Sequence, residues 1–459
     1  MFNPVIIIAL IIQSVIAKSS RKAGSVFGYI ITTGIMLWGF SVYSDGYEMA
    51  LFGVPLSQPV FVIACLVWYG YDTKEFLAAQ REVAAKRELR QMAASAAWRI
   101  KLEPRLEVPS ARQSLFITLG AVVVALILGG VVIAVVGGNP FRTYAYIAGA
   151  SFGSIGVLSD TIVKATPIIL TALACSIAFR MKLWNIGAEG QFIMGAWGAS
   201  AIVLTPVLPA ETSRWLFIPV MALAGLGMGA AWGFIPGYLK AKFNVNEIIS
   251  SLMLNYIAIS WVNFWIFGVW SEGGFQMSPK FPEGAELPRL SDYASSLPFL
   301  RGLTTHAGLL FGIVAAIILW FIVYRSRWGY EIRLIGDNPH AAKYAGISIV
   351  SNTILVMVLS GALAGLGGMS EVAGVVRRLQ TAPINAGYGF TGIIVAWLAK
   401  LNPLVIIIVS ILFGALILAG REIQPSGIPK MIQGIILVCL IASDFLLRYR
   451  VRVVKGEEE

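Results

Sequence analysis

The chain has 459 residues, of which 57% are apolar and only 13% charged, and it carries a net charge of +11. A soluble domain holds roughly 25% charge and about 45–50% apolar residues, so the composition excludes a soluble globular protein. Three cysteines (Cys65, Cys175, Cys439) sit singly inside apolar blocks and the two histidines (His306, His340) are far apart, which argues against a disulfide framework and against a metal site.

Residues 4–17 form the first apolar block. Its basic cluster, Lys18, Arg21 and Lys22, follows the run instead of preceding it, so the block reads as a retained membrane segment and not as a cleaved signal. Further blocks lie at 27–43, 56–71, 114–136, 160–179, 184–207, 215–238, 247–270, 307–324, 352–373, 387–400, 402–420 and 428–447. A helix needs about 20 apolar residues to cross the ~30 Å hydrocarbon core. Only a helix satisfies its own backbone there. The blocks at 4–17 and 387–400 are short for a full crossing, which suits re-entrant segments or extension into polar flanks. The predicted fold is an all-α, polytopic transmembrane helical bundle of about 13 spans.

Two polar stretches separate the blocks. Residues 73–112 alternate Lys and Arg with Glu among alanines, with Glu82 and Lys86 at i,i+4 spacing, and predict a charged helix that is either a solvated linker or a docking element. Residues 271–304, rich in Pro, Ser, Gly and Glu, predict a long loop with room for a lid or a docking surface. Placing 73–112 in the cytoplasm and alternating sides puts most of the 35 Lys and Arg residues on the cytoplasmic face. The positive-inside bias, not nucleic-acid binding, then accounts for the basic charge. The N-terminus is external and the C-terminus cytoplasmic in this arrangement. Arg377, Arg378 and Arg421 fall on the wrong side, so 373–428 is the weakest part of the topology.

Glycine-rich patches at 222–231 and 361–368 include the small-xxx-small pair Gly361 and Gly365, which lets helix backbones approach closely in lipid. Neither patch follows a strand or precedes Gly-Lys-Ser/Thr, so neither is a phosphate loop. Any use of ATP must come from a partner. Residues 185–202 and 387–405 both open on polar and glycine residues and pass into apolar runs, a hint of internal repetition around a transport path.

Three motifs carry chemistry. The first, at 183–195, sets Asn185, Glu189 and Gln191 beside an apolar run loosened by Gly187 and Gly190. It is either a broken helix lining a solute path or an interfacial turn in which Glu189 pairs with Arg180 or Lys182. In the second, at 240–256, Asn244, Asn246 and Glu247 mark a helix start, and the deeper Asn255 either meets solute or bonds a neighbouring helix. The third, at 329–347, has Asp337 or Asn338 capping a short helix over 340–345 that Pro339 opens and Gly346 ends. It is either a rigid knob for a cytoplasmic partner or an ordinary connection. A further stretch, GYGFTGI at 387–393, enters through the resemblance that follows.

In this order, and with LEPRL at 102–106, these motifs resemble the permease subunits of ABC importers in the branched-chain amino acid, ribose and nucleoside group. The nearest branch is the nucleoside and simple-sugar permeases that work with basic membrane lipoprotein-type receptors. The resemblance covers residues 102–448. It implies a ten-helix core with an inverted repeat over 113–459, to which the chain adds a three-helix membrane extension (1–72) and the linker helix (73–112). It implies a second permease subunit, a cytoplasmic ABC ATPase that binds ATP and Mg, an external lipoprotein receptor, and a place in the cytoplasmic (inner) membrane. Coupling to the ATPase falls on Gly336, Asp337, Asn338, Pro339, Ala341, Ala342, Tyr344, Ala345 and Gly346. The solute path falls on Asn185, Glu189, Gln191, Asn246, Asn255, Tyr388, Phe390 and Thr391.

The competing reading is an ion-coupled secondary transporter, which would want deep carboxylates. The only near candidates, Asp160, Glu189, Glu371 and Asp444, fall near predicted span ends. A membrane-embedded enzyme is excluded by the lack of paired carboxylates, a His cluster or a nucleophile–base set inside the blocks.

Overall fold

A computed structural model describes residues 50–51, 54–55, 99–104, 110–205, 207–380, 386–420 and 427–454. The chain divides into two compact units, residues 1–101 with 452–459, and residues 102–451. Described in the first unit is a short antiparallel pair, Ala50–Leu51 with Val54–Pro55. The apolar blocks at 4–17, 27–43 and 56–71 and most of the charged stretch at 73–112 lie outside the described residues. Arg99–Pro104 is extended, as expected where Pro104 disfavours the helical region for the residue before it.

The second unit is helical. Its helices are α1 (Ala111–Val135), α2 (Pro140–Phe152), α3 (Ile155–Arg180), α4 (Ala188–Leu204), α5 (Arg214–Phe243), α6 (Glu247–Phe267), α7 (Gly308–Arg325), α8 (Arg327–Asp337), α9 (Pro339–Tyr344), α10 (Ile349–Glu371), α11 (Tyr388–Leu398), α12 (Pro403–Ala419) and α13 (Ile428–Arg448). Among the described residues seven helices are long and apolar enough to cross a membrane, and α11 and α12 are shorter apolar helices. Polar residues between the apolar runs open most of them. Ser110, Asn139, Ser154, Asn246, Ser326, Asn338, Ser348 and Asn402 each accept a backbone N–H of the first turn. Neither α4 nor α11 has such a cap of its own.

Helix α3 runs through the centre, buried almost without break from Val163 to Phe179, with α10, α11 and α12 packed around it. A second seam joins α4, α5 and α10, and glycine makes it. A Cβ on Gly195 of α4 would overlap the backbone of Gly365 on α10, and one on Gly229 of α5 would overlap the Gly361 carbonyl. Gly233 and Gly225 meet the same face of α10. Lipid tails are as apolar as the helices, so close van der Waals contact holds this seam instead of the hydrophobic effect. Outward faces carry exposed large apolar side chains such as Phe116, Val123, Leu223 and Ile317, as a bilayer solvent demands.

Past Glu371, α10 widens into a π-helical turn, Val372–Val376, that ends on Arg377 in the left-handed region (φ 58°). The loop between α6 and α7 folds back onto this turn. The Phe281 and Leu287 N–H groups donate to the Arg377 and Ala373 carbonyls. Arg289 donates to the Gly374 and Val375 carbonyls. Glu286 pairs with Arg377 at 2.7 Å and Glu272 with Arg378 at 3.4 Å. Two of the three arginines that the positive-inside expectation left out of place, Arg377 and Arg378, therefore have carboxylate partners in the loop, and Arg421 lies outside the described residues. His306 closes the loop against Gly308 and Gly374, and its Nδ1 accepts the Gly308 N–H at 3.1 Å. Burial, and then the positive charges of Arg289 and Lys164, push its pKa down from 6.5 to about 4.

Two measurements check this packing. Gly229→Val should lose the monodisperse size-exclusion peak, since overpacking costs about 1–3 kcal/mol or more. Gly227→Val on the same helix, with nothing within 4 Å, should elute as wild type; equal behaviour of the two refutes the seam. Neutral His306 stabilises the fold fully above its unfolded pKa of 6.5, and this is lost as pH falls toward about 4. The melting temperature in detergent should fall across that window, and His306→Gln should flatten the fall.

Candidate functional site

The first motif is a buried polar junction between α3 and α4. The Asn185 amide donates to Gln191 Oε1 and to Ser360 Oγ, each at 2.8 Å, and Gln191 Nε2 returns a bond to Asn185 Oδ1 at 3.1 Å. Asn185 Oδ1 also accepts the Gly187 N–H. Ser360 Oγ in turn donates to the Ala174 carbonyl at 2.6 Å, so α3, α4 and α10 share one network. All of these side chains are buried, and a satisfied network of this kind fixes a unique arrangement.

Helix α4 begins inside the bundle, and its missing cap comes from α6. Asn255 Oδ1 accepts the Gly190 N–H at 2.8 Å while its amide donates to the Ile186 carbonyl at 3.0 Å. A Cβ at Gly190 would collide with Asn255. Asn246, by contrast, is exposed and caps α6 itself. Asn244 ends α5 at φ 52°, and Glu247 pairs with Lys240 at 3.0 Å.

Helix α11 also begins inside the bundle, at Gly387 with φ +86°, a conformation that favours glycine. Its cap is Glu189 of α4. The carboxylate accepts the Gly387 N–H at 3.0 Å and the Gly389 N–H at 2.6 Å. A carboxylate at a helix start meets both the free N–H groups and the positive end of the dipole. Glu189 therefore does not pair with Arg180 or Lys182. Gly389 and Gly392 press against the α4 and α3 backbones, where a Cβ would clash. Thr171 of α3 donates to the Tyr388 carbonyl at 3.0 Å.

The Tyr388 ring stacks obliquely on Phe192, 5.6 Å between centroids, and its hydroxyl reaches a buried ion pair. Lys164 Nζ lies 3.2 Å from the hydroxyl and 3.5 Å from Glu371 Oε1. The hydroxyl donates to that same oxygen at 3.4 Å. Thr391 faces Gln433 of α13 at 3.3 Å, and Phe390 is largely exposed. Sequence reasoning passed over Lys164, Thr171, Ser360 and Gln433. Lys164 had a usable signal, a lysine inside an apolar block.

The third motif folds as expected in outline, with the short helix starting at Pro339. Asn338 accepts the His340 and Ala341 N–H groups at 3.1 Å, and Gly346 takes φ +76°. Ala342 is buried; Asp337, His340, Lys343, Ala345 and Tyr344, the last 93% exposed, form an outward knob. Gly336 presses on the Arg180 carbonyl so closely that no Cβ fits. Arg180 donates to the Tyr324 hydroxyl at 2.9 Å and to the Leu401 carbonyl at 2.6 Å. Among the described residues no group of His, Cys, Asp and Glu is placed to hold a metal ion.

Residues 157–441 match the family described as branched-chain amino acid transport system / permease component. The guanosine ABC transporter permease protein NupP of Bacillus subtilis is 34% identical over 343 residues, 73% of this chain and 95% of the relative. The glucose ABC transporter permease protein TsgB13 of Haloferax volcanii is 33% identical over 368 residues, 77% and 94% of the two chains. The nucleoside ABC transporter permease protein NupB of Lactococcus lactis is 30% identical over 361 residues, 75% and 96%. No solved structure matches the chain.

Glu189→Gln places an amide donor against one of the two N–H groups it must accept. Loss of a charge-assisted bond of about 1.5–3 kcal/mol should reduce solute uptake about tenfold or more. Folded yield, read by size exclusion, should change far less; a loss of folded protein in step with uptake would reduce Glu189 to a purely structural cap.

Proposed function

The chain belongs to the branched-chain amino acid transport system permease family, and from that premise we propose that it is the membrane subunit of an ATP-driven importer of nucleosides. Simple sugars are the second solute class. The observation that carries the proposal is similarity across three quarters of the chain to permeases named for guanosine, nucleosides and glucose. ATP and Mg belong to a cytoplasmic ABC ATPase; a second permease subunit and an external lipoprotein receptor complete the assembly. The core sits in the cytoplasmic (inner) membrane, with α9 and the C-terminus in the cytoplasm and the N-terminus outside.

The geometry supports a mechanical route for coupling. The α9 knob seats in the ATPase. Gly336 transmits its displacement to Arg180, because the two backbones touch. Arg180 ends α3 and leads into the 181–187 turn, whose Asn185 network sets the start of α4. Glu189 then carries the shift to α11 through two hydrogen bonds. Alternating access follows when ATP-driven closure biases one of two arrangements of these half-helices. Asn185, Gln191, Asn255, Tyr388 and Thr391 are engaged with protein groups in the present arrangement and line the path when it opens. The competing ion-coupled reading gains little, since Glu189 and Glu371 already hold partners.

Replacing residues 336–347 by a flexible Gly/Ser linker should abolish ATPase association in pull-downs and leave the detergent melting temperature within a few degrees. Normal solute-stimulated ATP hydrolysis by that variant would sink the coupling role. Mass spectrometry of what co-purifies from native membranes tests the assembly, and the receptor's bound ligand names the solute. Uptake that persists on an ion gradient with the ATPase removed would overturn the proposal.

A further inference from the structure

One buried polar cluster takes no part in the coupling route. Lys164 of α3 is 6% exposed and Glu371 of α10 is 1% exposed. Charges inside a membrane span are costly and persist where they face a partner or a path. As partners these two are poorly matched. Lys164 Nζ stands 3.5 Å from Glu371 Oε1 and 3.2 Å from the Tyr388 hydroxyl, which is itself 3.4 Å from that oxygen. A close charge-assisted bond measures about 2.8 Å. A buried ion pair repays its desolvation only when its geometry is close, so stability does not account for this one. Among the described residues Lys164 has two acceptors for its three N–H groups. His306, 3% exposed, adds a second spare donor. Its ring lies against Gly374, just beyond Glu371, and near enough to Lys164 for that charge to help keep it neutral. Because Nδ1 accepts the Gly308 N–H, the proton sits on Nε2, which is buried and has no partner among the described residues.

We propose that Lys164, Glu371, Tyr388 and His306 form a solute subsite that reads a vicinal pair of hydroxyl groups, the feature that the ribose of a nucleoside shares with a simple sugar. The inference rests on the reading of the chain as an importer of these solutes. A hydroxyl both donates and accepts. The pair donates to the Glu371 carboxylate while its oxygens accept from Lys164 Nζ and His306 Nε2, so donors that are idle or held at long range find close partners. One lysine and one glutamate cancel in charge, which suits an uncharged solute. The surrounding backbone is broken where solute has to enter. Helix α11 begins inside the bundle at Gly387, and α10 turns π-helical directly after Glu371. Interrupted helices carry the binding sites of transporters, and π-helical turns recur at functional sites. A site built to bond a hydroxyl rejects the analogue that lacks it, because its own polar groups are then left unpaired.

The test uses the full chain with its co-purifying partners in proteoliposomes. ATP-dependent uptake of adenosine is compared with that of its dideoxy analogue, which lacks the vicinal ribose hydroxyls, and uptake of glucose with that of 2-deoxyglucose. Wild type should prefer the hydroxyl-bearing member of the pair it transports about tenfold or more, as expected for a hydrogen bond to a charged group. Lys164→Met combined with Glu371→Gln removes both charges together and strands neither; it should reduce the preference about tenfold. His306→Asn keeps an acceptor for the Gly308 N–H but lacks Nε2, and should reduce the preference severalfold; it decides alone if the double variant does not fold. The receptor is the same in every preparation, so a changed preference belongs to the permease. A purely structural cluster would slow both members of a pair equally. An unchanged preference in the folded variants, or equal uptake of both members by wild type, would overturn the subsite and leave the importer reading standing. Absence of ATP-dependent uptake of both adenosine and glucose by wild type would overturn that reading and the subsite with it.

Discussion

A backbone N–H group inside a bilayer has no water to bond, and two helices of this chain begin where none is present. Helices α4 and α11 start inside the bundle without a capping side chain of their own. Each depends on another helix. Asn255 of α6 serves the start of α4, and Glu189 at that same start serves α11. The dependence is serial, since the group that caps α11 is positioned by the turn that Asn255 holds. The Asn185–Gln191–Ser360 network binds that turn to α3 and α10. Irregular backbone at depth is tolerated only where protein replaces water, and these side chains are that replacement.

The C-terminal end of α10 obeys the same rule by other means. A π-helical turn leaves carbonyls without partners on the helix ladder. Arg289 takes those of Gly374 and Val375, and neighbouring loop N–H groups take those of Ala373 and Arg377. The ion pairs of Glu286 and Glu272 then fix the loop over this end. The two ends of the bundle are thus finished differently: an exposed knob at α9 on one, a clamped loop on the other.

The sequence made some of this legible and hid the rest for physical reasons. Helix starts were readable where a Ser or Asn stood before an apolar run, because a cap is a local bond; Asn246 and Asn338 are such cases. The closeness of backbones at Gly361 and Gly365 was readable from spacing, but not that α4 and α5 would be the partners. Glu189 stood out as a carboxylate near an apolar run. Its donors, Gly387 and Gly389, lie about 200 residues further on, and nothing local points to them. For the same reason the Lys164–Glu371–Tyr388 cluster was not assembled, and Arg377 and Arg378 looked like errors of topology until the loop supplied their carboxylates. Propensity misled at Arg99–Pro104, where a helical charge pattern gives way to an extended segment before Pro104.

The glycine seam has a mechanical consequence. Most helix contacts are keyed, with side chains of one helix standing in the hollows of the next, so sliding them requires many rotamers to change at once. The contact of α4, α5 and α10 is backbone against backbone, with Gly195, Gly229, Gly361 and Gly365 at the points of closest approach. Beside those points methionines stand against glycines, Met228 against Gly198, Met369 against Gly225 and Met357 against Gly237. The contact resists separation, because close contact is lost all along it, and the Asn185–Gln191–Ser360 hydrogen bonds fix α4 against α10. Helix α3 of the same bundle is packed instead by side chains, Ile168, Leu170, Leu173 and Ile177. The half-helix α4 is thus seated by backbone contact on one side and by that polar network on the other.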